Sequence, residues 1–258
     1  MDFGMPFLLE NRSIEESAAL CAELGLKFVE LNMSFPLCTL DRMSAPMLRE
    51  LEEKYGIYFT FHLDEALTPC AFDSRVRAAY VQNAADAIRL AAEAGMPTVN
   101  LHWEKGIVVT QPDRKVYLYD AYREDYLRCT AQFRAACEEA SGGKVNVCVE
   151  NTDGYHPFRL EAIELLLQSP VFHLTLDVGH NDLAHGVDMP FYDKHFDELK
   201  HMHLHDSAAD CHLALGDGHL DIAALIARGE KTRARAVIEV KTVEALRRSV
   251  ERLPQYIK

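Results

Sequence analysis

The chain has 258 residues, and its 27 Lys plus Arg against 40 Asp plus Glu leave a formal charge of −13 before any of the 12 His is protonated. At 48% hydrophobic and 26% charged it carries too many core formers for a disordered chain, and no run approaches the roughly 18 unbroken apolar residues of a membrane span. The acidic balance disfavours nucleic acid and anionic membranes as nonspecific partners, because both demand clustered Lys and Arg.

From the amino end, Met1-Asp2-Phe3-Gly4 lacks the basic start of a signal segment, so a cytoplasmic location is expected. The seven cysteines are odd in number and show no CxxC, which reads as free or buried thiols. A first strand is predicted at 4–9. Ser13, with Glu16 three residues on, opens a helix at 13–24 in the pattern of a capping box. Strand 28–32, helix 44–55, strand 58–62, helix 74–94 and strand 98–102 follow, and Leu24-Gly25, Tyr55-Gly56 and Ala94-Gly95 give the three helices a glycine stop. Helix 123–140, strand 145–150, helix 158–168, strand 173–177, helix 191–199, strand 201–205, helix 222–228, strand 236–240 and helix 243–253 complete the chain. Cys148 sits inside its strand where a small hydrophobe fits.

Strand then helix, repeated without a linker rich in Pro, Gly or Ser, predicts one α/β domain over residues 1–258. The expected architecture is a closed parallel (β/α)8 TIM barrel, which typically takes about 250 residues. The rival open, doubly wound sheet usually carries a glycine-rich turn after its first strand, and Leu9-Glu10-Asn11-Arg12 is not one.

The predicted strands end in chemistry. His62, His102, Glu150 and Asp177 close four of them, while His203 and Glu239 lie near the ends of the last two. In a parallel barrel the carboxyl ends of the strands share one face, so residues distant in sequence converge there. Taken singly, a strand-end His is most often a partly buried polar group. Glu150 and Asp177, however, follow the apolar runs Val147-Cys148-Val149 and Leu174-Thr175-Leu176, where a lone carboxylate is costly. One divalent cation removes that cost for the whole cluster, so the cluster is read as a metal site. His201, His203 and His205 alternate onto one side of their strand, with only the later ones expected at the active face. Asp210 and His212 can face one ion, and His180, one turn past Asp177, can bind a neighbouring ion or orient a ligand. Asp217 and His219, set between glycines, are expected in an exposed turn.

At these residues the chain resembles the xylose-isomerase-like barrel superfamily, which holds sugar and sugar-phosphate isomerases and epimerases together with endonuclease IV. The resemblance is carried by Val149-Glu150-Asn151-Thr152, Leu176-Asp177-Val178-Gly179-His180, Met202-His203-Leu204-His205-Asp206, Asp210-Cys211-His212-Leu213-Ala214-Leu215-Gly216-Asp217-Gly218 and Ile238-Glu239-Val240. It implies one divalent ion held by Glu150, Asp177, His203 and Glu239, with Glu150 and Glu239 as the acid/base pair. Endonuclease IV adds ligands for a three-zinc cluster, and its pattern has matches at His62, His102, His180, Asp210 and His212. Self-association is common in the superfamily, although no interface is legible in the sequence.

Three carboxylates and one imidazole suit Mn²⁺, Mg²⁺ or Co²⁺, extra imidazoles favour Zn²⁺, and no organic cofactor is expected. The favoured reading is a metal-dependent isomerase or epimerase of a carbohydrate, free or phosphorylated, that abstracts a proton beside a chelated carbonyl and passes through an ene-diolate. His62 and His102 would then meet substrate hydroxyls, Trp103 would either cover a sugar face or simply pack, and Lys241 is a weak candidate for substrate binding. Lys105 and Arg159 are expected as solvated charges. An endonuclease IV-like phosphodiesterase on abasic DNA is the alternative. It is disfavoured by the acidic rim expected from Asp64-Glu65, Glu104 and Asp153, by Trp103-Glu104 standing where endonuclease IV has Pro-Gly after its His, and by the basic cluster Arg228, Lys231, Arg233 and Arg235 falling before the last strand and hence on the far face. A non-catalytic metal or metabolite binder on the same barrel is the third class, since a fold does not fix a function.

Overall fold

Alternating side chains along the strands explain how this chain closes a barrel. The computed structural model describes residues 1–257. In chain order the strands are β1 (Phe3–Pro6), β2 (Phe28–Asn32), β3 (Tyr58–His62), β4 (Thr98–His102), β5 (Val108–Thr110), β6 (Lys115–Tyr117), β7 (Asn146–Glu150), β8 (Phe172–Asp177), β9 (Leu199–Leu204) and β10 (Arg235–Ile238). Eight of them form one parallel ring, β1-β10-β9-β8-β7-β4-β3-β2, which closes where β2 pairs with β1. The helices are α1 (Ile14–Glu23), α2 (Ala45–Tyr55), α3 (Ser74–Ala94), α4 (Leu118–Ala121), α5 (Arg123–Ser141), α6 (Pro157–Leu166), α7 (Val178–Leu183), α8 (Met189–Lys194), α9 (Ile222–Thr232) and α10 (Val243–Arg252). The fold is the expected (β/α)8 TIM barrel.

On β3, Phe59 and Phe61 share one face while Thr60 and His62 share the other. On β4 the same division separates Val99 and Leu101 from Asn100 and His102, and on β7 it separates Val147 and Val149 from Cys148 and Glu150. The apolar set is fully buried, and each such side chain contributes about 1.5–3 kcal/mol by leaving water. The other set is polar apart from Cys148 and, His102 apart, buried too, with Thr60, Asn100, Glu150, Thr175, Asp177, His201 and His203 at most 1% exposed. Barrels of this kind are ordinarily filled by branched apolar side chains. Here polar residues fill the layers beneath the mouth, and they have to satisfy one another.

Local signals behave as expected at several ends. Ser13 Oγ accepts from the Glu16 amide at 3.0 Å, and the Glu16 carboxylate accepts from the Arg12 amide at 2.7 Å, so the capping box closes one residue earlier than its usual form. Gly56, at φ +67°, ends α2 in the left-handed region. All seven cysteines are free, and Cys148 is buried as a small hydrophobe would be.

The differences from expectation are instructive. The strand expected at 4–9 ends at Pro6, and the one expected at 236–240 ends at Ile238, so Glu239 emerges just past β10. The helix expected at 191–199 is α8 followed by a 3-10 turn, Phe196–Glu198. Between β4 and α5 the chain makes an excursion holding the antiparallel β5–β6 hairpin and α4, and α7 begins directly at the end of β8. No helix among the described residues is long and apolar enough to cross a membrane.

Candidate metal centre

Strand register brings the predicted residues to one level. His102 pairs with Glu150 across β4–β7, and Asp177 pairs with His203 across β8–β9. Glu150, Asp177, His203 and Glu239 come from β7, β8, β9 and the exit of β10, which are consecutive around the ring. One ligand atom from each lies within 4.8 Å of the others. His203 Nδ1 stands 3.2 Å from Glu150 Oε1, 3.1 Å from Glu239 Oε2 and 3.8 Å from Asp177 Oδ2. Side-chain exposure is at most 1% for Glu150, Asp177 and His203, and 15% for Glu239.

The backbone holds these groups from behind. Asp177 caps α7 by accepting from the His180 amide at 2.6 Å, and its own amide donates to Asn151 Oδ1 at 2.9 Å. His205 Nε2 meets Asp177 Oδ1 at 3.1 Å, while the His212 amide donates to His205 Nδ1 at 2.8 Å. A Cβ at position 179 would collide with the His205 ring, so only glycine lets α7 pass so close. The Asn100 side-chain amide donates to Glu150 Oε2. His62 Nδ1 faces the Leu63 carbonyl at 2.7 Å, which leaves its Nε2 toward Glu150 at 3.4 Å. In the same way His212 Nδ1 faces the Glu239 carbonyl at 3.1 Å.

The carboxylates of this cluster take their compensating charge from neighbouring imidazoles and from Lys241. Burial alone would raise the carboxyls, but the imidazoles of His203 and His102 outweigh it and hold Glu150 well below the ordinary carboxylate range. Glu239 is likewise held down against burial, by His203 and Lys241. Burial works against an imidazolium at His203, yet Glu150, Glu239 and Glu30 overcome it and push that group well above the usual range. Burial also opposes charge on His180, but Glu150 and Asp177 raise it to about 9. His212, buried and beside His205 and Lys241, falls to about 4. Two atoms aimed into the cluster, His203 Nδ1 and Glu239 Oε2, have no hydrogen-bond partner. A divalent cation fits this donor set, because it can take the place of the proton on His203 as the charge that three carboxylates face and gives both unpartnered atoms a partner.

Further ligand types adjoin it. His62, His102 and Glu150 form one group, and His180, Cys211 and His212 another. Asp210, expected beside His212, is exposed and makes no side-chain hydrogen bond among the described residues, and Cys211 stands in the group instead. A cavity of about 550 Å³ opens over the cluster, lined among others by Asn32, His62, His102, His180, Glu239 and Lys241. Lys241 Nζ donates to Glu239 Oε1 at 2.7 Å.

Several expectations need correction. Trp103 is wholly buried and donates from Nε1 to Tyr126 at 2.7 Å, so it packs and presents no face to a ligand. Arg159 is no solvated charge; at 2% exposure it donates to Asp153 Oδ1 at 3.0 Å and to the Trp103 carbonyl at 2.9 Å. Glu104, expected on an acidic rim, is buried and accepts from Cys70 and Tyr119. Lys105 does line the cavity, paired with Asp153 at 3.1 Å. His201 lies inside the barrel below His203, as expected from the alternation, but its partner Glu30 sits in mid-strand, where strand ends give no hint of it. The signal that marks it is a carboxylate in the middle of the apolar run Phe28-Val29-Glu30-Leu31.

A family model described as a xylose isomerase-like TIM barrel matches residues 18–256. An uncharacterized protein of Methanocaldococcus jannaschii is 23% identical over 261 residues, spanning 98% of this chain and 96% of that protein. Among solved structures, a D-tagatose 3-epimerase-like protein superposes with a TM-score of 0.79 at 21% identity, covering 99% of this chain and 97% of the other. Endonuclease IV from Thermus thermophilus gives 0.68 at 18% identity, over 99% and 97% of the two chains. At these identities the likeness to solved structures is one of fold.

Proposed function

The chain belongs to the xylose isomerase-like TIM barrel family, and from that premise we propose that it is a divalent-metal-dependent isomerase or epimerase of a ketose or related keto-polyol. The observation that carries this reading is the pair Glu150 and Glu239. Both carboxylates flank His203 Nδ1 within 3.2 Å, yet they enter from strands three places apart around the ring. Two carboxylates approaching one point from different sides suit removal of a proton from one face of a carbon and its return to the other.

Glu150, Asp177, His203 and Glu239 would hold the cation. When bound, it supplies Lewis-acid polarisation of a carbonyl and its neighbouring hydroxyl, which acidifies the adjoining C–H. The chain's own residues then move the proton. Both carboxyls are ionised at neutral pH and able to accept it. Lys241 occupies Glu239 Oε1 and leaves Oε2 free toward the centre. His62 and His102 line the cavity beside Glu150 and are placed to bind substrate hydroxyls. The structural neighbour that resembles a D-tagatose 3-epimerase is named for action on a ketose, which supports the same class of substrate.

A second reading, a zinc-dependent phosphodiesterase acting on abasic DNA, is favoured by the groups His62–His102–Glu150 and His180–Cys211–His212 flanking the main one. Against it, the lysines at the cavity, Lys105 and Lys241, are each tied to a carboxylate, and the chain carries a charge of −13. Elemental analysis followed by deuterium incorporation from heavy water into a panel of ketoses, with and without phosphate, tests the choice. About one ion per chain and Mn²⁺-dependent exchange at the carbon beside the carbonyl is the expected result. About three zinc ions per chain, no exchange and incision of abasic duplex would reverse the ranking.

A further inference from the structure

Beneath the proposed metal ligands, Glu30 of β2 reaches across the barrel at 3% exposure. Its Oε1 accepts from His203 Nε2 at 2.8 Å, and its Oε2 accepts from His201 Nε2 at 2.8 Å and from Thr60 Oγ1 at 3.2 Å. We propose that Glu30 is the positioning residue of the metal centre: it keeps a proton of His203 on Nε2, so that Nδ1, the nitrogen facing Glu150, Asp177 and Glu239, is the one that yields its proton and offers a lone pair to a cation. The inference rests on the metal reading above and adds to it the residue that sets the affinity of the site.

The residue type at position 30 follows from its neighbours. Two imidazole N–H groups, each on a ring at most 1% exposed, point at this one side chain. Only a carboxylate offers two acceptor oxygens and no donor; a glutamine would accept from one ring and push an N–H against the other. The two rings differ in what their second nitrogen does. His201 Nδ1 is buried with no partner, whereas His203 Nδ1 lies at the ligand cluster. Holding His203 is therefore the contact with a consequence at the mouth, and His201 with Thr60 fixes the carboxylate that makes it. A carboxylate hydrogen-bonded to the far nitrogen of a ligating histidine fixes its tautomer and raises its basicity, and losing such a partner typically weakens metal binding about 10–100-fold.

The test is Mn²⁺ affinity, followed by the electron paramagnetic resonance signal of the free ion, in the wild type and Glu30→Gln. The expected result is a roughly 10–100-fold weaker dissociation constant with metal-free circular dichroism unchanged, and turnover that recovers as Mn²⁺ is raised. A role in folding alone would move the metal-free stability and leave the dissociation constant where it was. If Glu30→Gln does not fold, the double variant Glu30→Leu/His201→Leu replaces both polar partners by apolar groups, a change the core tolerates better than an orphaned group, and the same loss of affinity is expected. Affinity within twofold of wild type in either folded variant overturns the proposal while leaving the metal site itself standing. A wild type that binds no stoichiometric Mn²⁺ or Zn²⁺ overturns both readings. An anomalous-scattering peak among Glu30, His201 and His203 also overturns the proposal, because the three would then be ligands themselves.

Discussion

Two buried carboxylates at the mouth of this barrel live in opposite surroundings. Glu104 is met by neutral donors, the Cys70 amide at 2.8 Å on one oxygen and the Tyr119 hydroxyl at 2.5 Å on the other. Burial raises its pKa despite those bonds. Glu150 is met by the Asn100 amide and by imidazoles of His62, His102, His180 and His203 at 3.2–3.6 Å, and it is held strongly ionised. Around Glu104 both oxygens have a hydrogen-bond donor. Around Glu150, His203 Nδ1, His180 Nδ1 and Glu239 Oε2 have no hydrogen-bond partner. A complete network ties structure together, whereas buried polar atoms left without partners are what the proposed metal site calls for. Glu104 thus fastens the excursion between β4 and α5 to the segment before α3, and Glu150 lies buried among the proposed metal ligands.

The largest effect that separates the two is on turnover. Glu150→Gln and Glu239→Gln keep shape and remove a proton acceptor, so each is expected to lower the rate of deuterium exchange on the active ketose by about 10²–10⁴-fold, with circular dichroism unchanged. Glu104→Gln is expected to leave exchange within a few-fold of wild type. Loss of turnover in the Glu104 variant together with its survival in the Glu150 variant would invert the comparison.

A smaller effect concerns stability. Tyr119→Phe removes one donor from Glu104 and leaves a buried oxygen unsatisfied, at a cost of about 1–3 kcal/mol. In a chain of this size that is a fall in Tm of roughly 2–10 °C, measurable by calorimetry, with Mn²⁺ affinity unchanged. A Tyr119→Phe variant as stable as wild type would show that Glu104 is not the fastener of this segment.

One side of this comparison is far more legible in the sequence than the other. β2, β3 and β4 have the boundaries that periodicity predicts, because their outward residues are apolar, their inward residues are polar apart from Phe28, and glycines stop the helices before them. The convergence of Glu150, Asp177 and Glu239 is readable because a carboxylate after an apolar run is costly wherever the chain folds, and that of His203 because alternation along its strand turns it the same way. Glu104 and Arg159 read as exposed charges, since nothing local distinguishes a solvated charge from one whose partners, Tyr119 and Asp153, are brought to it by tertiary packing. The β5–β6 hairpin, flanking Gln111-Pro112-Asp113-Arg114, is hidden because it interrupts the strand–helix alternation that identifies everything else. Glu30 escapes for another reason: its two imidazole partners lie 171 and 173 residues away in the chain, and only barrel closure makes one side chain answer both.

A third carboxylate, Asp153, lies between these extremes and yields the smallest effect. It is half exposed, pairs with Lys105 and Arg159, and falls to about 2, because Thr152, Arg159 and Lys105 together outweigh partial burial. A carboxyl depressed in the folded state stabilises the protein above its unfolded pKa, roughly 3.9, and loses that contribution as pH drops toward the folded value. With solvent screening, the contribution is about 1 kcal/mol or less, and about half of it is gone at pH 3. The difference in urea midpoint between wild type and Asp153→Asn is therefore expected to shrink between pH 6 and pH 3. A difference that widens on acidification would mean that Asp153 is more easily ionised in the unfolded chain than in the barrel, and the clamp on Arg159 would have to be reassigned to the Trp103 and Gly154 carbonyls, which do not titrate.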